Sequence, residues 1–385
     1  MFLVYLTGLS IVGFLATDMY LPAFDKMRLD LDTSHANISI SLSLFLGGYA
    51  IAQLLWGPLL DKFGKPKSIL LGLGIFMLSS IFIYFTSSIG LLLAFRMLQA
   101  IGVCAAAVSW QALVIERYPS SETAKVFAGI MPLVALSPAL APLLGVFFLE
   151  HFGWRSIFMF LAFIAVLLML YTIPLLKSDK NKRTKVENTA PDEKASYISI
   201  FKTKSFIGNV LIYSFCSGAF FAWLTGAPFF LTELGYNEKE VGFSFIPSTI
   251  AFIFGGYTYR AVSDRVNGKK ILPYLIGLFI ISVLSLVIIG LFTEATMTTL
   301  LIPFTIMTMI SGTTYPIVVA EALKPFTHNA GKAAALQNTV QLGACFITST
   351  MVSLFSNNAL TATMITMLST ILFVVFGYFL VITKK

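Results

Sequence analysis

The sequence predicts an all-α membrane protein of 12 transmembrane helices, arranged as two six-helix bundles. Of its 385 residues, 57% are hydrophobic and only 11% are charged, whereas an average soluble domain is roughly 25% charged. The mean hydropathy is +0.86. So few charged side chains cannot cover a surface in water, and lipid must therefore be the solvent around most of the chain.

Twelve apolar runs are long enough to cross a membrane, which takes about 20 residues at 1.5 Å per residue. They cover residues 2–22, 38–59, 68–86, 90–115, 125–149, 154–176, 206–231, 241–262, 271–292, 297–322, 329–355 and 360–382. The first run carries Asp18 and lacks the basic start and small-residue cleavage site of a signal peptide. We interpret it as a helix of the mature protein.

A single long polar stretch, Lys177 to Lys204, separates the sixth run from the seventh. We expect an N-terminal bundle at 1–176, a cytoplasmic linker at 177–205 and a C-terminal bundle at 206–385. Most Lys and Arg residues fall in this linker or in loops on the same side of the membrane. Loops on the other side hold only Lys26, Arg28, Arg155 and Lys239, so the positive-inside rule places both termini and the linker in the cytoplasm.

The two halves repeat each other, as in duplicated transporters. Asp61 follows the second run and Asp264 the eighth, while Glu116 closes the fourth run and Glu321 the tenth. The two pairs are separated by nearly the same number of residues. This regularity supports a six-plus-six repeat.

Several other function classes lack support in the sequence. The net charge of +8 is spread over short loops and is not a nucleic-acid patch. Gly268-Lys269-Lys270 and Gly331-Lys332 lack the remainder of a phosphate-binding loop, and no hydrolase motif is found. Cys104, Cys216 and Cys345 lie singly in apolar runs, and the three His residues are scattered. We therefore expect no metal, no cofactor and no enzymatic activity.

The loop Gly57-Pro58-Leu59-Leu60-Asp61-Lys62-Phe63-Gly64-Lys65 resembles the signature loop of the major facilitator superfamily. Thr17-Asp18-Met19-Tyr20-Leu21-Pro22-Ala23 and Arg96-Met97-Leu98-Gln99-Ala100-Ile101-Gly102 resemble its Bcr/CflA branch of drug:proton antiporters. Longer strings, among them Trp110-Gln111-Ala112-Leu113-Val114 and Phe221-Ala222-Trp223-Leu224-Thr225-Gly226, are similar to PunC-like purine-efflux transporters. The antiporter motif of the fifth helix is altered here to Ser137-Pro138-Ala139-Leu140-Ala141-Pro142.

Asp18 and Arg96 are the acidic and the basic residue placed well inside predicted spans. A carboxylate in lipid is costly unless it is paired or protonated, so it indicates a functional site, although a structural ion pair is the alternative. Counting rises from the helix ends puts both residues at similar depth below the outer face. We expect Asp18 to carry the coupled proton and Arg96 to control its protonation.

Charged pairs at the inner ends of the spans are candidate gating residues: Asp61, Lys62, Glu116, Arg117, Asp264 and Arg265. The resemblance implies that Asp61 caps the N-terminus of the eleventh span near Asn329 when the carrier faces outward. The alternative is that these residues are solvated loop charges that only set topology.

Polar and aromatic side chains inside the spans are candidates for substrate binding, because amides can bond the edge of a flat heterocycle while aromatic rings stack on its face. We select Gln111, Trp223 and Asn338, followed by Tyr49, Gln53, Tyr213 and Gln341. For any single residue, hydrogen bonding between helices is an equally good explanation.

These features together predict a monomeric, multi-pass, proton-coupled antiporter. We expect it to export drugs or purine bases and nucleosides across the bacterial inner membrane. Its expected partners are the small-molecule substrate, protons and membrane lipid, without nucleic acid. A passive facilitator of the same substrates is the first alternative, and a membrane-embedded enzyme is the second.

The topology has a direct test. A cysteine introduced at Ser178 or Thr189 should react with an impermeant thiol reagent in inside-out vesicles and remain unlabelled in intact spheroplasts, because the linker is basic. A cysteine at Lys239, predicted to lie outside, serves as the opposite control. Labelling of the linker positions in spheroplasts would reverse the orientation.

Overall fold

The computed structural model describes residues 2–186, 196–236, 238–355 and 358–383, and it is helical almost throughout. The first half contains α1 (Phe2–Asp18), α2 (Phe24–Asp30), α3 (His35–Phe63), α4 (Lys65–Phe85), α5 (Ile89–Arg117), α6 (Thr123–Phe152) and α7 (Trp154–Val186). The second half contains α8 (Tyr197–Lys202), α9 (Lys204–Glu233), α10 (Glu238–Val262), α11 (Gly268–Phe292), α12 (Met297–Leu323), α13 (Ala330–Leu354) and α14 (Ala359–Ile382).

Twelve of these helices correspond to the twelve predicted runs. Within the described residues, 10 helices are individually long and apolar enough to cross a membrane, and the bent α6 makes an eleventh. The remaining predicted span is α13, a 25-residue helix whose Gln337, Asn338 and Gln341 lower its hydropathy. The short helices α2 and α8 were not predicted, because a 20-residue criterion cannot detect a helix of six or seven residues.

Local chemistry explains several helix ends. Pro22 has no N–H, so it cannot continue the bonding of α1, and a 3₁₀ turn follows at Leu21–Ala23. Gly64 separates α3 from α4 with a φ of 88°, a conformation that glycine adopts without strain. The Ser34 hydroxyl caps α3 by accepting from the Asn37 amide, and Thr296 and Thr299 form a capping box before α12.

The helices form two compact units, which we call unit 1 and unit 2. Unit 1 takes in the described residues of Met1–Arg117, Leu136–Ser196 and Phe326–Leu336. Unit 2 takes in those of Tyr118–Ala135, Tyr197–Pro325 and Gln337–Lys385. The first part of α6 therefore packs with unit 2, and the first turns of α13 pack with unit 1. Residues 187–195 of the predicted linker lie outside the described part of the chain.

Glycines let helix backbones touch inside each unit. A Cβ on Gly72 of α4 would lie 2.6 Å from the Gly102 oxygen of α5, and a Cβ on Gly102 would lie 2.6 Å from the Gly72 oxygen. Gly208 of α9 and Gly377 of α14 make the same reciprocal approach in unit 2. Such contacts are typical of membrane helices, where close packing replaces the hydrophobic effect between helices. Large apolar side chains on α4, α11 and α14 are exposed and form a lipid-facing surface.

Candidate functional site

Asp18 is the last residue of α1 and is half-buried. In the described part of the chain its carboxylate has no ion pair or hydrogen bond. The chain beside it is held tightly, because a Cβ on Gly145 of α6 would collide with the backbone oxygen of Met19. A carboxylate in an apolar helix, fixed in position but without a partner, is suited to exchange a proton.

Arg96 lies on α5 and is fully buried. Its Nη1 donates to the Ala16 oxygen at 3.1 Å and to Oε1 of Gln99. Gln99 in turn donates to Oγ of Ser80 at 2.7 Å. Because α1 ends at Asp18 and the chain then turns at Pro22, the Ala16 oxygen lies in the last turn of the helix, where carbonyls lack helical donors. Arg96 therefore caps α1.

The sequence predicted that Arg96 and Asp18 lie at the same depth. The structure brings Arg96 to α1 two residues before Asp18, yet the guanidinium bonds the backbone of Ala16 and not the carboxylate. Aromatic rings complete its surroundings: the centroids of Tyr20, Phe45 and Phe158 lie 4.1, 4.2 and 5.9 Å from its Cζ. Counting residues from the helix ends predicts the depth of Arg96 but not the aromatic rings around it.

Unit 1 contributes three of the predicted substrate residues besides this pair. Gln53 on α3 and Gln111 on α5 are buried, with 1% and 3% of their surfaces exposed, and the Oε1 atom of each lacks a hydrogen-bond partner. Tyr49 is half-buried and its ring stacks on that of Phe45 at 6.3 Å. Buried amides with unused acceptors have hydrogen-bonding capacity that a ligand or water could use.

Unit 2 contributes Tyr213, Asn338 and Gln341, which are all half-buried. The ring of Tyr213 meets Tyr315 of α12 edge-on at 4.9 Å, and Tyr315 meets Phe252 of α10 at 5.5 Å. Tyr213 lies about 14 Å from the start of α9, and Gln341 about 16 Å from the start of α13, at 1.5 Å per residue. Gln341 is thus near the middle of α13, whereas Tyr213 lies about a third of the way along α9.

Trp223 differs from the other unit 2 candidates in its burial, and its indole Nε1 has no hydrogen-bond partner. It is fully buried in the core of unit 2, stacked on Phe304 at 4.1 Å and edge-on to Phe230 at 5.2 Å. Packing in this core explains why a large, mostly apolar side chain occupies the position. Tyr213, which lies ten residues before Trp223 on α9, and Tyr315 of α12 pack at the edge of this core and are only half-buried.

The predicted gating charges form separate contacts at the helix ends. Asp61 accepts from the backbone amides of Gly331 and Lys332 at 3.1 and 3.2 Å, so it caps α13 in unit 1. This is the contact that the resemblance implied. Gly331 permits it, because a Cβ there would lie 2.8 Å from Oδ1 of Asp61 and 2.9 Å from the Gly57 oxygen.

Two ion pairs repeat between the halves. Lys65 bonds Glu116 at 2.8 Å in unit 1, and Lys269 bonds Glu321 at 2.9 Å in unit 2. Both lysines directly follow the glycine of a repeated loop. Asp264, the counterpart of Asp61, pairs with Lys125 at the start of α6.

The three basic residues of the predicted gate have surroundings of other kinds. The guanidinium of Arg117 lies 4.4 Å from the Phe2 ring, and Nζ of Lys62 lies 5.3 Å from the Phe63 ring. Arg265 is exposed.

Two spanning helical units with polar groups at mid-membrane depth and repeated charged loops define a multi-pass membrane transporter. The chain belongs to the Major Facilitator Superfamily, whose sequence pattern matches residues 6–349. This is a family of transporters and not of enzymes.

Named relatives and solved structures agree with this assignment. The chain is 28% identical to the uncharacterized MFS-type transporter YdgK of Bacillus subtilis, over 93% of this chain and 90% of the relative. It is 25% identical to a bicyclomycin resistance protein homolog of Haemophilus influenzae, over 75% of this chain and 73% of the relative. A chloramphenicol resistance protein of Pseudomonas aeruginosa is 28% identical, over 86% and 78%. The transporter FucP, solved in the outward conformation, has the same fold with a TM-score of 0.76 at 16% identity, over 99% of this chain and 98% of FucP.

The capping role of Asp61 is testable by amide hydrogen exchange. Asp61→Asn should raise exchange at Gly331 and Lys332 about 5- to 100-fold, because it removes the charge and one acceptor from two charge-assisted bonds. Asp264→Asn is the matched control, since its partner is Lys125, and it should leave these amides unchanged. Equal exchange in Asp61→Asn and the parent would mean that α13 is held by packing alone.

Proposed function

We propose that the protein is a proton-coupled antiporter of the bacterial inner membrane that works as a monomer and exports small organic molecules. The observation that carries this proposal is Asp18, a carboxylate at the end of a spanning helix with no partner among the described residues. Two of the relatives are named for resistance to bicyclomycin and chloramphenicol. FucP and XylE, which share the fold, are described as proton symporters.

In the proposed cycle, Asp18 takes a proton from the outer side and releases it to the cytoplasm, while substrate moves outward. The cap that Asp61 places on α13 and the Lys125 pair of Asp264 close the cytoplasmic ends in one state and open in the other. A carboxylate that must be neutral in one state and ionised in another gives the coupling, because a charged group is costly in lipid. A passive facilitator would not need this carboxylate.

The substrate is proposed to be a planar molecule without a formal charge, such as a purine base or nucleoside or a neutral drug. Tyr213 and Tyr315 offer aromatic surface, and Gln341 and Asn338 offer amide groups at similar depth. The spanning helices of unit 2 have their charged residues near their ends, so its mid-depth wall suits a neutral ligand.

Proton coupling is tested by Asp18→Asn, which stays neutral in every state. In inside-out vesicles this variant should lose pH-gradient-driven accumulation and retain exchange of labelled for unlabelled substrate, because binding does not need the charge. Asp18→Glu should keep coupling, and Asp30→Asn, which alters a carboxylate outside the spans, should leave it unchanged. Gradient-driven accumulation by Asp18→Asn would favour the facilitator or another proton carrier.

Substrate contacts are tested by Tyr213→Leu and Gln341→Leu, with adenine, guanosine and chloramphenicol as probes. Loss of a stacking ring should weaken the apparent affinity for the exported heterocycle about 5- to 100-fold, whereas Tyr213→Phe should retain it. Trp223→Phe is the control: it should lower thermal stability and leave apparent affinity near that of the parent. The reverse pattern would restore Trp223 as the contact and remove Tyr213.

A further inference from the structure

The short helix α8 presents apolar side chains outside the span that follows it. Ile198 and Phe201 have 66% and 47% of their surfaces exposed, whereas Ile200 is fully buried. Residues three or four positions apart share one face of a helix, so Ile198, Phe201 and the exposed Lys202 lie together and Ile200 lies opposite. Ile200 thus anchors α8 to unit 2, and the other face points outward.

Contacts at the junction hold α8 at the start of α9. The Thr203 amide donates to the Ile200 oxygen at 3.1 Å, and the Thr203 hydroxyl donates to the Ser199 oxygen at 3.1 Å. The backbone of Thr203 is extended, with φ of −73° and ψ of 109°, so α8 does not continue the axis of α9. The outward face of α8 therefore has a fixed place beside the start of the spanning helix.

The length of α9 puts this place at the level of the lipid headgroups. α9 has 30 residues, which extend over about 45 Å at 1.5 Å per residue. A bilayer with its headgroup regions is about 40–45 Å thick, and its hydrocarbon core is about 30 Å thick. The two ends of α9 therefore lie in the headgroup regions, and α8 lies next to one of them.

The charge around this face has one sign. Lys202 and Lys204 are exposed, and the sequence has no Asp or Glu from residue 195 to residue 232. Apolar side chains beside lysines at this depth are typical of a helix that lies in the interface and binds anionic lipid. The aliphatic stems of the lysines lie along apolar surface while their ammonium groups reach the phosphates.

We propose that α8 is a docking surface for anionic phospholipids of the leaflet at the start of α9, which the sequence predicts to be the cytoplasmic one. Ile198 and Phe201 insert between the upper parts of the acyl chains, and the ammonium groups of Lys202 and Lys204 bind headgroup phosphates. A lipid surface is the occupant that fits both the depth and the charge of this face. The proposal depends neither on the identity of the substrate nor on the proton carrier.

The test attaches a spin label to Ile198→Cys in the full-length protein, whose native cysteines are all buried. In nanodiscs that contain phosphatidylglycerol, the label should be accessible to oxygen and shielded from a water-soluble nickel chelate. Its accessibility to nickel should rise severalfold in phosphatidylcholine alone or with Lys202→Gln/Lys204→Gln, because each lysine at an anionic surface contributes roughly a fivefold preference. Lys202→Arg/Lys204→Arg, which keeps both charges, should restore the shielding.

A second measurement leaves Ile198 in place. Native mass spectrometry should find fewer phosphatidylglycerol molecules retained by Lys202→Gln/Lys204→Gln than by the parent. Arg265→Gln/Lys270→Gln is the matched control, because it removes two exposed cations between α10 and α11, and it should retain as many as the parent.

Three results would overturn the proposal. The first is a label that nickel reaches equally in both kinds of nanodisc. The second is equal shielding in both nanodiscs and in detergent, which would mean that the preceding linker, and not lipid, covers the face. The third is an equal loss of retained lipid in the control and in the α8 variant.

Discussion

The bond from Arg96 to the Ala16 oxygen fixes where the first helix ends, and the arrangement of unit 1 around Asp18 depends on it. Lipid offers no hydrogen bonds, so every backbone group at a helix end inside the membrane needs a partner from the protein. Arg96 supplies one to the last turn of α1. The backbone beyond it then packs against Gly145 of α6. The carboxylate of Asp18 lies at this fixed end and has no hydrogen-bond or ionic partner among the described residues.

The two units differ in where their charged residues lie along the spans. Unit 1 carries an acid and a base within its spans, and the base already has a polar network through Gln99 and Ser80. Unit 2 has uncharged amides and tyrosines at mid-depth, with its ion pair Lys269–Glu321 near the helix ends. This distribution supports the proposal that proton chemistry belongs to unit 1 and that unit 2 recognises a neutral molecule.

Sequence reasoning located the spans well because length and apolarity are what a bilayer demands of a helix. It also found Asp61 and the repeat, since charged loops at fixed positions are visible in one dimension. Burial is not visible in this way. Trp223 and Tyr213 lie on the same helix and have similar aromatic character, yet packing against Phe304 places the first in a core and leaves the second half-buried. The partners of Arg96 were also out of reach, because Tyr20, Phe45 and Phe158 come from three separate stretches of chain.

The repeated loops show how one sequence pattern supports two different contacts. Lys65 and Lys269 follow a glycine and bind a glutamate at the end of a neighbouring helix, so this pair is a structural element of each half. Asp61 and Asp264 have diverged: the first binds two backbone amides and the second binds a lysine side chain. A carboxylate on backbone amides at a helix start gains from the helix dipole and from fixed donors, whereas an exposed pair of flexible side chains contributes at most about 1 kcal/mol. The Asp61 contact is thus the stronger of the two.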